Sequence, residues 1–181
     1  RFIGVQISNT GTEWNVVVGN YIGLDATGTT ALSNLDDGVF IQNGAQYNRV
    51  GGSTAGERNM ISGNGGEAVS IYDSTTMSNT VAGNYLGTNV SGTMAIGNKH
   101  AGIVIAAGAK YNVIGVGGLA GNTPGAGNLI SGNQGNGISI QDTGTMSNTV
   151  SGNFIGTDIS GTAAISNTSN GVYIGQGASY N

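Results

Sequence analysis

Apolar residues in this chain recur two apart over very short stretches and then stop. The runs GVQI, GVFI, AVSI, GIVI, GISI and GVYI begin at positions 4, 38, 68, 102, 137 and 171, so their spacings are 34, 30, 34, 35 and 34. Between them lie further apolar runs of three to four residues, separated by Gly, Asn, Ser and Asp. Period-two alternation is the mark of a strand, and no window carries the i, i+3, i+4, i+7 spacing of an amphipathic helix. A rung of three such strands cannot bury its inward residues alone, but stacked rungs can. The pattern predicts parallel stacking with Val5, Val39, Val69, Ile103, Ile138 and Val172 as one inward ladder. A second is expected from Val17, Val50, Val81, Ile114 and Val150.

A longer period overlies the short one. NTVAGNYLGTNVSGTMAIGN from Asn79 returns as NTVSGNFIGTDISGTAAISN from Asn148, with an earlier copy, NVVVGNYIGLDATGTTALSN, from Asn15. NMISGNGGEAVSIYDSTTMSN from Asn59 returns from Asn128 as NLISGNQGNGISIQDTGTMSN. Two kinds of rung therefore alternate. Type A runs through Asn-aromatic-Ile/Leu-Gly into a Gly-Thr turn, and type B passes through a Gly-rich loop into Asn-x-Ile-Ser-Gly-Asn. Each GVxI-like run is followed, ten or eleven residues on, by Asn15, Asn48, Asn79, Asn112, Asn148 or Asn181. Asn at one corner of every rung predicts a stacked amide ladder, which also satisfies turn backbone groups. The expected fold is all-β, a right-handed parallel β-helix of about five to six rungs of 30–35 residues, with three short strands per rung. Residues 1–181 form a single segment of it.

Composition agrees with this pattern. The 181 residues include 35 Gly, 1 Pro and no Cys, and only 8% are charged. The 38% hydrophobic content, largely β-branched, suffices for a core when periodically placed. The net charge is −4 and the five basic residues are scattered, which excludes the clustered cations of a nucleic-acid binder. No apolar run reaches the roughly 20 residues of a membrane span. Without an initiator Met or a signal peptide, the chain reads as a piece of a longer repeat protein.

The blocks GNYIGLDATGTTALSN, DDGVFIQNGAQYN and NLISGNQGNGISI resemble the right-handed parallel β-helix repeats of long bacterial secreted and cell-surface proteins. That fold is shared with pectate lyases and similar carbohydrate-active enzymes. The resemblance spans essentially the whole chain, and it implies an architecture and an extracellular or cell-surface setting rather than an activity.

Polysaccharide hydrolases need paired carboxylates, and Asp36–Asp37 is the one adjacent acidic pair. It lies at the turn entering the second rung, where the alternate rungs carry His100–Ala101 and Ser169–Asn170. The Gly-His-Gly and Arg-x-Lys segments that accompany such a pair in the hydrolases it resembles are missing. His100, beside Lys99, is the single histidine and reads as a turn residue. Arg49, Arg58 and Lys110 fall in loops with no acidic trio for a lyase. Asp25, Asn89 and Asp158 occupy equivalent type A turns, where calcium is the functional reading and an Asx turn the structural one. Turns two rungs apart, about 10 Å, with one such side chain each, offer too few oxygens for calcium, so no cofactor is expected.

The outward face of the GVxI sheet carries Phe40, Gln42, Tyr72, Val104, Gln141 and Tyr173. Aromatics among Gln and Ser suit a carbohydrate or protein surface. The function expected is that of a non-catalytic structural or adhesive segment, a rigid rod presenting repeated faces. A fragment of a polysaccharide-active hydrolase or lyase is the alternative. A fibre subunit stacking further copies end to end through unpaired strand edges is the third reading.

Overall fold

A computed structural model describes residues 2–116 and 126–181. Rung one holds β1 (Val5–Ser8), β2 (Val16–Val17) and β3 (Tyr21–Ile22). Rung two holds β4 (Val39–Gln42), β5 (Arg49–Gly51) and β6 (Met60–Ile61), with a short 3-10 turn at Ala55–Glu57. Rung three holds β7 (Val69–Tyr72), β8 (Thr80–Ala82) and β9 (Tyr85–Leu86). Rung four holds β10 (Ile103–Ala106), β11 (Val113–Gly115) and β12 (Leu129–Ile130). Rung five holds β13 (Ile138–Ile140), β14 (Thr149–Ser151) and β15 (Phe154–Ile155), and β16 (Val172–Ile174) opens a sixth. Each third strand joins the same sheet, and all pairings between these strands are parallel. The result is a right-handed parallel β-solenoid.

The register places like on like. Val5, Val39, Val69, Ile103, Ile138 and Val172 pair in succession, as the alternation predicted. Val17, Val50, Val81, Ile114 and Val150 form the second ladder. A third, Ile22, Ile61, Leu86, Ile130 and Ile155, completes the triangular core. β-branched side chains fill this space because parallel strands stack identical positions at a fixed, roughly 4.8 Å interval.

Asparagine closes all three corners. Asn15, Asn48, Asn79, Asn112, Asn148 and Asn181 form the expected ladder, each Nδ2 donating to the next Oδ1 at 2.9–3.2 Å. A second ladder runs Asn20, Asn59, Asn84, Asn128, Asn153. A third runs Asn34, Asn64, Asn98, Asn133, Asn167. The same Oδ1 also takes the backbone N–H of the Asn one rung earlier, as in Asn48 to Asn79 at 3.0 Å. The second Nδ2 proton reaches a backbone carbonyl, as in Asn84 to Val50 at 2.9 Å. Asn is short enough to make all these bonds without leaving the turn, so among the described residues the buried corners keep no unpaired amide.

The third sheet is covered by the type A loops. Its outward residues Met60, Tyr85 and Leu129 form a second apolar cluster with Leu24, packed against Val90 and Ile96. Each loop is pinned by one antiparallel bridge, Leu24 to Ala31, Thr88 to Ala95 or Thr157 to Ala164. The Arg58 guanidinium lies 4.3 Å over the Tyr85 ring. The first and second sheets carry no such loops among the described residues.

Candidate functional site

The corner leading into the first sheet stacks Asp37, Glu67, Ala101, Asn136 and Asn170, each one residue before its run. The acidic pair is thus continued by an acid on the next rung. Asp37 is only 3% exposed. Its Oδ1 accepts the Glu67 backbone N–H at 3.0 Å, and the two carboxyls hydrogen-bond each other. Burial first, then the Asp37 contact and its charge, push the Glu67 carboxyl up to about 7. His100 Nδ1 stands 3.9 Å from Glu67 Oε1 on the third rung of the row. This geometry suits a shared proton joining two rungs.

The outward face of the first sheet is less open than its sequence suggests. Phe40 and Val104 are buried. Phe40 meets Tyr72 edge to face, with centroids 5.6 Å apart at 87°, and Tyr72 packs on the cluster of Ala101, Val104 and Ala106. Aromatic rings on this sheet lie down on the neighbouring rung because the small residues Ser70 and Ala106 leave them room. Gln141 accepts from the Ser139 hydroxyl at 3.2 Å, Gln42 is half-buried beside β7, and Tyr173 sits over Gly175 in the last rung. A shallow polar groove remains, lined by Glu67, Tyr72, Lys99, His100, Ser139 and Gln141. It joins two pairs that the sequence treated separately, Tyr72 with Gln141 and Lys99 with His100.

The candidate calcium turns fold inward on themselves. Asp25 Oδ1 accepts the Thr29 and Thr30 amides at 3.1 Å, and Asn89 Oδ1 and Asp158 Oδ1 do the same in their loops. Hydrogen bonds from Thr27 and Ser160 respectively lead those that hold the Asp25 and Asp158 carboxyls below the usual range. The loops are not separated by the intervening rung as expected. The Val90 amide donates to Gly28 O, and the Ile159 amide to Gly92 O, both at 3.0 Å. They touch because each loop arches outward over the third sheet. No group of three or more His, Cys, Asp or Glu suited to a metal occurs among the described residues. Arg49 opens β5 rather than lying in a loop, and its guanidinium pairs with Glu57 at 2.9 Å, while the backbone of Lys110 takes part in a row of parallel bridges.

One row escaped the sequence reading. The residue before each Asn of the first ladder, Trp14, Tyr47, Ser78, Tyr111, Ser147 or Tyr180, has a φ of 54–60°. Bulky side chains are rare at positive φ, which costs roughly 1–2 kcal/mol each and is cheapest for Gly or Asn. Yet Trp14 is 71%, Tyr47 42%, Tyr111 52% and Tyr180 86% exposed. The signal was present as the dipeptides Trp-Asn, Tyr-Asn and Ser-Asn at the rung period. No family model, curated protein or solved structure matches this chain.

Proposed function

We propose that this chain is a non-catalytic structural and adhesive segment of an extracellular or cell-surface protein, a stiff rod that displays repeated side-chain rows to a carbohydrate or protein partner. The observation that carries the reading is the set of three asparagine ladders, which ties each rung to the next at every corner and leaves no hinge within either described stretch. Such a scaffold holds outward rows at fixed intervals, so a partner meets a preordered surface and little ordering entropy opposes contact. The engagement of Asp37 with the Glu67 amide and carboxyl favours a structural over a catalytic role for the acidic corner. The likeness of the repeat pattern to bacterial secreted and surface proteins supports the extracellular setting.

The test is incubation with a panel of acidic and neutral polysaccharides, reading new reducing ends and unsaturated products. No release is expected. Release that disappears in Asp36→Asn or Asp37→Asn would overturn the proposal in favour of a polysaccharide-active enzyme.

A further inference from the structure

The corner between the first and second sheets holds aromatic rings in a row with regular gaps. Trp14 and Tyr47, on rungs one and two, stack with centroids 4.8 Å apart and planes 8° from parallel. That separation equals the strand spacing, so the rings repeat the rung-to-rung translation of the backbone. The remaining members of the row adopt the same left-handed backbone, with φ of 59° at Ser78, 58° at Tyr111, 55° at Ser147 and 57° at Tyr180. Each is fixed by the next rung, as the Tyr47, Ser78 and Tyr111 amides donate to the Met77, Lys110 and Met146 carbonyls at 3.3 Å. Their Cα–Cβ bonds therefore project alike. Serine interrupts the aromatic row at rungs three and five. Tyr47 and Tyr111 stand two rung spacings apart, about 9.6 Å, and so do Tyr111 and Tyr180.

A gap of that size between flanking tyrosines admits one ring, at the same interval that separates Trp14 from Tyr47. Tyr47 walls the place over Ser78 on one side, Tyr111 repeats its backbone conformation on the other, and the surroundings are not aromatic. Ser78 lines a groove with Tyr47, Arg49 and Thr80, and the outward residues of the second sheet continue as Val113 and Thr149. Charge on this edge is balanced: Arg49 is paired with Glu57, and Glu13 and Lys110 contribute one of each sign to the adjoining row of bridges. An apolar face to stack on, hydroxyls at the base and no net charge match a pyranose, whose ring has apolar C–H faces and a polar rim. Exposed rings at a conformation that favours Gly or Asn also need a cause outside the backbone.

The geometry points to a glycan track along this corner, in which neutral sugar units occupy the places over Ser78 and Ser147 between tyrosines of neighbouring rungs. This rests on the adhesive reading above and sets its principal contact at the corner rather than in the first-sheet groove. Repetition matters, since a polymer engaging two places gains by effective concentration what one weak site lacks.

The experiment is titration of the full chain with cellohexaose, mannohexaose and chitohexaose, followed by calorimetry and by fluorescence of Trp14. The variants are Tyr111→Ala, which removes a wall, Ser78→Tyr, which fills a place with a residue already carried at this conformation, and Tyr72→Ala in the first-sheet groove. Binding of at least one hexaose is expected, weakened tenfold or more by Tyr111→Ala and by Ser78→Tyr and unchanged by Tyr72→Ala. Binding lost in Tyr72→Ala and retained in the two corner variants overturns the track while leaving the adhesive rod standing. No binding of any hexaose by the wild type also overturns the track, and the absence of released products in the polysaccharide test then still separates a rod from an enzyme.

Discussion

The Glu67 backbone N–H donates to Asp37 Oδ1 at 3.0 Å, and the two carboxyls hydrogen-bond each other between adjacent rungs. Glu67 is raised from an ordinary 4.5 to about 7. Between those values the folded chain keeps a proton that the unfolded chain releases, so stability is fully present below 4.5 and is lost as pH rises towards 7. Asp25, Asp73 and Asp158 act oppositely. In Asp73, burial is outweighed by hydrogen bonds from Thr75, the Asn43 amide and Thr76. Their depressed carboxyls contribute stability above the ordinary 3.8 that is lost as pH falls below it. The denaturation midpoint is expected to peak in mildly acidic buffer, and Glu67→Gln should flatten the neutral-side decline. An unchanged slope in that variant counts against the shared proton.

The ladders predict a cost that depends on depth. Asn84 donates to Val50 O, Ala82 O and Asn128 Oδ1, and its Oδ1 serves both nitrogens of Asn59. Asn84→Ala orphans several buried groups and should cost about 3–5 kcal/mol at roughly 1–3 kcal/mol each, allowing for partial relaxation. Asn15→Ala, at an exposed position, should cost less than about 1.5 kcal/mol. Urea titrations of both would measure the difference, and equal losses would mean that the ladder is not the main tie.

Val81 lies fully buried between Val50 and Ile114 in the second ladder. Val81→Asp places an unpaired carboxylate in the core and is expected to cost at least about 3 kcal/mol. Circular dichroism melting reads the loss, and a variant as stable as the parent would contradict this core.

Ser70 and Ser62 should respond with opposite signs. The Ser70 hydroxyl is buried between Phe40 and Val104 and makes no hydrogen bond among the described residues. Ser70→Ala removes that unsatisfied group and should gain about 1 kcal/mol. Ser62 donates to Thr88 O at 2.8 Å and accepts the Gly87 amide at 3.0 Å, so Ser62→Ala should lose about 1–2 kcal/mol. Paired chemical denaturation curves would distinguish them, with a shift of the same sign in both excluding this account.

Much of the fold was legible because a solenoid repeats. The interval between the GVxI runs set rung length, and alternation within them set the inward ladders, with no long-range inference beyond stacking like on like. The site was less legible. Asp36–Asp37 stood out as an adjacent pair, yet the partner of Asp37 is Glu67, 30 residues away. Comparison of alternate rungs, which share a type, passes over the rung that touches. The stripe through Phe40 and Val104 read as exposed because alternation gives only a direction from the strand, not what a neighbouring Tyr72 folds over it.

The sequence by itself determined the rung period, the alternation of two rung types, the parallel pairing and one of the three asparagine ladders, since each follows from residue identity recurring at a fixed interval. Tertiary structure decided which outward rows are open. The type A loops arch over the third sheet and stack through Val90 and Gly28, closing one face, while Trp14 and Tyr47 meet at an uncovered corner. The physical reason is that inward burial is set by each residue's own position in the period, whereas outward exposure depends on how far a loop or ring on another rung can reach.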